Sequence, residues 1–68
     1  MRIGPITDAM AAERIRQSRA NFNDAAAYVR SNPPPAEVDR EIWAAHGLAC
    51  AVMVQEMDEA LEAWEGRQ

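Results

Sequence analysis

The sequence predicts an all-α protein: an antiparallel hairpin of two helices, about residues 7–31 and 36–65, that pairs with a second copy into a four-helix arrangement. Three observations carry that expectation. Apolar residues recur at alternating intervals of three and four on both sides of one Pro-rich break. Gly and Pro are otherwise almost absent from the two stretches. The run Ile42 to Val54, IWAAHGLACAVMV, carries no acid, Lys or Arg, and His46 and Cys50 are its only ionisable groups. A helix that is apolar all round must be covered on most of its circumference, which a single neighbouring helix cannot do.

A chain of 68 residues reads as one domain, 1–68. Domains near this size bury only about 60% of the surface their unfolded chain exposes, and they usually rely on disulfides, metal or oligomerisation. One cysteine, Cys50, cannot form a disulfide within the chain and fits a reducing cytoplasm. Oligomerisation is the device that remains. The first ten residues, MRIGPITDAM, have no apolar stretch followed by a small-residue cleavage site, so no secretion signal is read there. The apolar run would reach roughly 20 Å as a helix, short of a hydrocarbon core of about 30 Å. The expectation is a cytoplasmic protein with no membrane contact.

Residues 1–6 read as an extended lead-in, because Gly4-Pro5 discourages regular structure. Thr7 or Asp8 can cap the first helix by accepting a free backbone N–H of the first turn. No Gly or Pro then interrupts up to Ser31. Ala11, Ile15, Ser18, Phe22, Ala25 and Val29 make a stripe in which small and large residues alternate, the pattern of one helix face packing along another. Arg14, Arg16, Gln17, Asn21, Asn23, Asp24 and Arg30 fall off the stripe and should be solvated.

Residues 31–35, SNPPP, form the turn, since each Pro lacks a donor and pushes the preceding residue out of the helical region. Pro35 suits the first turn of the second helix, and Glu37, Asp39 and Glu41 suit its positive end. A short connection makes the helices antiparallel. The second helix should end at Gly66. It carries two stripes: Trp43, His46, Cys50, Met53, Met57, Ala60 and Trp64; and Val38, Ile42, Ala45, Ala49 and Val52. The first helix covers one and a second copy the other. Either assignment is open, and the expected dimer interface is Ile42, Trp43, His46, Ala49, Cys50, Met53 and Met57. Gly47 permits either a close backbone approach or a local bend, at a cost of about 1 kcal/mol against Ala.

Charge is divided between the halves. Residues 1–31 hold five Arg against three acids, and residues 32–68 hold two Arg against eight acids. Antiparallel packing puts Arg14, Arg16 and Arg19 beside Glu56, Asp58, Glu59 and Glu62. Such exposed pairs contribute about 0–1 kcal/mol each and favour this orientation without holding the fold.

No constellation for catalysis, cofactor or metal binding emerges. His46 and Cys50 are four apart on one face, an acceptable spacing for two metal ligands. They lack further ligands, an orienting third residue and oxyanion donors, so a packed thiol and a hydrogen-bonded interface histidine describe them better. The Arg residues of ERIRQSRANFN could meet phosphates, but the chain is acidic overall and has no basic tail or helix-turn-helix spacing, which argues against nucleic acid. Tyr28, Arg30, Trp43 and Trp64 are residue types that dominate binding energy at protein interfaces, and they are the expected partner-binding residues.

A first helix ending near Tyr28 to Arg30, a polar turn, and an apolar second helix with Trp43 near its start resemble the very small bacteriophage-encoded helical-hairpin proteins that inhibit host regulators, including the anti-quorum-sensing type. The likeness spans nearly the whole chain and is architectural, and the triple Pro and Trp64 depart from it. It implies a phage or prophage homodimer that binds a host protein such as a quorum-sensing transcriptional activator, with no enzymatic activity. Other functions compatible with the sequence are an acidic inhibitor of a nucleic-acid-binding complex of the anti-CRISPR kind, drawing on the acids of QEMDEALEAWEG; an oligomerising assembly subunit; and a small DNA-binding regulator.

Overall fold

The computed structural model describes residues 3–68 and is a hairpin of two helices, α1 (Ala9–Ser31) and α2 (Arg40–Gly66). The described residues include no strand. The helices pack lengthwise into a body of 46 × 18 × 14 Å. The two-helix, all-α hairpin expected from the apolar periodicity is therefore the observed fold. Residues 3–7 carry no regular secondary structure; Met1 and Arg2, the rest of the predicted lead-in, lie outside the described residues.

Asp8 caps α1. Its backbone is extended and its Oδ1 accepts the Ala11 N–H at 2.8 Å, which satisfies one of the donors that a first turn leaves free. At the other end the Asn32 Nδ2 donates to the Tyr28 carbonyl at 2.9 Å and the Ser31 hydroxyl to that of Ala27 at 2.8 Å. These bonds close α1 at Ser31, where the sequence placed its end.

The second helix starts four residues later than the sequence suggested, at Arg40 rather than Ala36. Pro35 is not in its first turn: its carbonyl accepts the Val38 N–H at 3.0 Å and closes a turn outside the helix. Asp39 then takes the cap, its side chain accepting the Glu41 N–H at 2.8 Å and its carbonyl the Trp43 N–H at 2.9 Å. An Asp that can bond two residues ahead competes with the helical conformation at its own position, so the helix begins just after it. The connection accordingly runs from Asn32 to Asp39. At the C-terminus, Gly66 remains helical with no positive φ, and Arg67 is the cap.

Which stripe of α2 faces α1 is now decided. Cys50 and Met57 are buried and Trp43, Met53, Ala60 and Trp64 half-buried, with only His46 of that stripe exposed, whereas Ile42, Ala45, Ala49 and Val52 are exposed and only Val38 of theirs is half-buried. On α1 the deepest residues are Ala12 and Ala26, each one position beyond the expected Ala11 and Ala25, which are half-buried with the rest of that stripe. Alanine lies where the backbones come closest, and the larger Ile15, Phe22 and Val29 fill the flanks. The buried core is completed by Leu61 and by Ile6, which folds back against Ala12 and Leu61 at the open end of the hairpin. The Arg67 guanidinium donates to the Ile6 carbonyl at 2.7 Å and lies over the Trp64 ring at 6.0 Å.

Ion pairs join the two helices in the antiparallel arrangement, as the charge division implied. Arg19 holds Asp58 with two bonds, 2.7 and 3.3 Å, and Arg16 reaches Glu65 at 3.8 Å. The hydrogen bond to Asp58 raises the Arg19 pKa from its ordinary value. Arg14 does not reach α2; it lies against the Met10 sulfur at 3.6 Å.

Gly47 serves a close approach of the two helices of one chain. A Cβ built there would lie 2.7 Å from Val29 Cγ1 and 3.1 Å from Val29 Cβ, and a β-branched side chain has little freedom to move aside. Gly47→Ala is expected to destabilise the fold by roughly 1–2 kcal/mol through overpacking, despite the better helix propensity of Ala. In a Val29→Ala background, where the 2.7 Å neighbour is gone, the same change should cost less. Urea denaturation followed by circular dichroism measures both, and equal costs in the two backgrounds would contradict this contact.

Candidate functional site

The site is what α1 leaves uncovered on α2. At 100° per residue the charge-free run presents one flank to α1 and one on either side of it, with exposed Ala45 and Val52 between those two on the far face. Trp43, Cys50 and Met57 take the one that meets α1, where Cys50 and Met57 are only 4% exposed. A second flank follows Ile42, His46, Ala49 and Met53, at spacings of four, three and four; Ile42 is 65% exposed, His46 and Ala49 are exposed, and Met53 is half-buried. The third follows Ala44, Gly47, Leu48 and Ala51, with Leu48 at 68% exposed. A soluble helix normally places charge on the faces its neighbours leave open, yet the four side chains of the second flank include only His46 as an ionisable group, and the third flank has none.

The expected dimer interface is thereby split. Ile42, His46, Ala49 and Met53 lie together on one flank and remain accessible, while Trp43, Cys50 and Met57 are engaged by α1 of the same chain. The sequence had grouped the two sets because it left open which stripe of α2 meets α1.

The expected partner-binding residues also separate. Tyr28, Arg30 and Trp43 gather at the turn end. The Trp43 indole N–H donates to the Asn32 carbonyl at 3.1 Å, and its ring meets Tyr28 edge-on with centroids 6.3 Å apart. That bond satisfies a carbonyl at the end of α1 and pins the Trp43 ring across the gap between the helices. Tyr28 stays 59% exposed beside it. Trp64 lies at the opposite end, half-buried against Ile6, Ala12 and Leu61.

Between the turn ends of α1 and α2 runs an open apolar groove of about 400 Å³, lined by Val29, Arg30, Trp43, Ala44, Gly47, Leu48 and Ala51. Sequence reasoning missed the groove, although Gly47 among small residues was its signal. A second, smaller cavity of about 190 Å³ lies at the open end, between Ile3–Ile6 and α2, with Glu56, Glu59 and Arg67 on its walls.

The His46 Nε2 and Cys50 Sγ lie 4.0 Å apart. Among the described residues no group of three or more His, Cys, Asp or Glu side chains is placed to hold a metal ion, and no helix is long and apolar enough to cross a membrane. Compared with known proteins, the chain matches no family model, no curated protein and no solved structure.

Proposed function

We propose that this chain is a non-catalytic protein-binding module of the cytoplasm: a homodimer of helical hairpins that binds and inhibits a host regulatory protein, with a quorum-sensing transcriptional activator as the class that its resemblance to phage inhibitors suggests. The observation that carries the reading is the exposed apolar circumference of α2, with Ile42, Leu48 and Val52 at 65%, 68% and 43% exposure. Uncovered apolar residues along one helix support a protein-contact reading.

The two uncovered flanks divide the work. Ile42, His46, Ala49 and Met53 form a seam at coiled-coil spacing, which suits a second copy lying along it. The turn end carries Tyr28, Arg30 and Trp43 on the surface of each hairpin, where a dimer formed through the seam leaves them available to a target. With few buried residues in a single hairpin, covering the seam adds the apolar burial that so small a core lacks.

The test is affinity capture from the native host with the tagged protein and with its Tyr28→Ala and Arg30→Ala variants. A retained host protein should fall at least tenfold with the variants while their mass in solution stays that of a dimer. Undiminished capture would remove the turn end from the target interface, and capture of nothing by a dimeric parent would favour a purely structural subunit.

A further inference from the structure

We infer that the groove between Val29 and Leu48 is the seat of the target, and that its occupant is an acidic amphipathic helix; this rests on the protein-binding reading above and names the chemistry of that partner. Ala44, Gly47, Leu48 and Ala51 stand at positions i, i+3, i+4 and i+7 of α2. Four residues so spaced form the hole that receives one bulky side chain of a facing helix. Small Ala44 and Ala51 keep the hole open, exposed Leu48 forms one wall, and Val29 and Trp43 form the other. The groove volume of about 400 Å³ falls in the range of ligand-accepting clefts, about 300–1,000 Å³.

Charge selects the occupant. Among the described Arg residues, Arg16 pairs with Glu13 and Glu65, Arg19 with Asp58, Arg67 with the Ile6 carbonyl, and Arg14 with the Met10 sulfur. Arg30 and Arg40 meet no acceptor among the described residues, although the chain has a net charge of −4. Arg30 lines the groove; Arg40, outside the lining residues, precedes Ala44 by one turn on the stripe 40, 44, 47, 51. A guanidinium at the rim of an apolar cleft is suited to a forked bond with a carboxylate. A helix with bulky apolar residues three and four apart and acids beside them fills the hole and meets both guanidinium groups. A basic helix would be repelled by those groups.

The experiment uses the unmodified chain and two synthetic helical peptides. One carries Leu at intervals of three and four with Glu on both sides of that stripe; the other has Lys in place of every Glu. Amide chemical shifts report where a peptide sits, and sedimentation reports the mass. The Glu peptide is expected to bind saturably, to shift residues 29–30 and 43–51, and to leave the dimer intact. The Lys peptide should bind at least tenfold more weakly, and the Arg30→Ala, Arg40→Ala double variant should lose that discrimination. Equal binding of the two peptides, shifts confined to other surfaces, or no saturable binding overturns the inference. Dissociation of the dimer by the Glu peptide also overturns it, by making the groove the place of the second copy. A monomeric chain that still binds the Glu peptide in the groove would uphold the groove while contradicting the dimer.

Discussion

Met57→Ala is expected to cost about 2–5 kcal/mol of stability, the range for removing a large side chain from a core without full collapse of the space it leaves. Met57 is 4% exposed, and its neighbours in depth are only Ile6, Ala12, Ala26, Cys50 and Leu61 among the described residues. Two of those six buried residues are alanines, so most of the apolar burial in the hairpin comes from a few large side chains. Folded domains are stable by roughly 5–15 kcal/mol, and one this small belongs at the bottom of that range. The single truncation should therefore leave a large fraction unfolded at room temperature. Chemical denaturation read by circular dichroism measures the loss, and a change below about 1 kcal/mol would mean that Met57 does not fill the helix interface as described.

Ala49→Asp is expected to weaken self-association at least a hundredfold. In the single hairpin Ala49 is exposed, so a carboxylate there costs the isolated chain little. In a dimer formed along Ile42, His46, Ala49 and Met53 the same carboxylate is buried without a partner, once in each copy. An uncompensated buried charge costs about 3–5 kcal/mol, and each 1.4 kcal/mol is a factor of about ten in affinity. Because the hairpin core is slight, helix content should fall together with association as the protein is diluted. A variant that keeps the mass and helicity of the parent at every concentration would place the second copy elsewhere.

Most of the fold was legible because it depends on local signals. The end of α1 follows from Asn32 and three prolines, its start from Asp8, and the orientation from the short connection, favoured by the division of charge that Arg19 and Asp58 realise at 2.7 Å. The start of α2 was less so. Pro35 followed by Ala, Glu and Val reads as a first helical turn, and only the competition won by Asp39 moves the helix to Arg40. Ile6 was also passed over. An apolar residue just upstream of a capping Asp is nearly in the position from which a hydrophobic residue packs back onto its helix, and here Ile6 packs on Ala12 and Leu61.

The candidate site was legible in kind and not in place. An apolar circumference announced uncovered surface, but periodicity cannot rank flanks that are all apolar. The division was set by where Val29 meets Gly47, a contact between residues eighteen positions apart in the chain. That contact places Trp43 and Cys50 toward α1, frees Ile42 and Ala49, and opens the groove beside Leu48. Trp64 joined the expected binding residues by residue type alone, and the core at the open end holds it instead.

Sedimentation equilibrium at micromolar concentration tests the central claim most directly, namely that α2 carries a face which another copy of the chain covers. The prediction is a species of about twice the chain mass of 7.6 kDa, helical throughout, which dissociates and loses helicity together on dilution. A stably helical monomer of 7.6 kDa over the same range would contradict it.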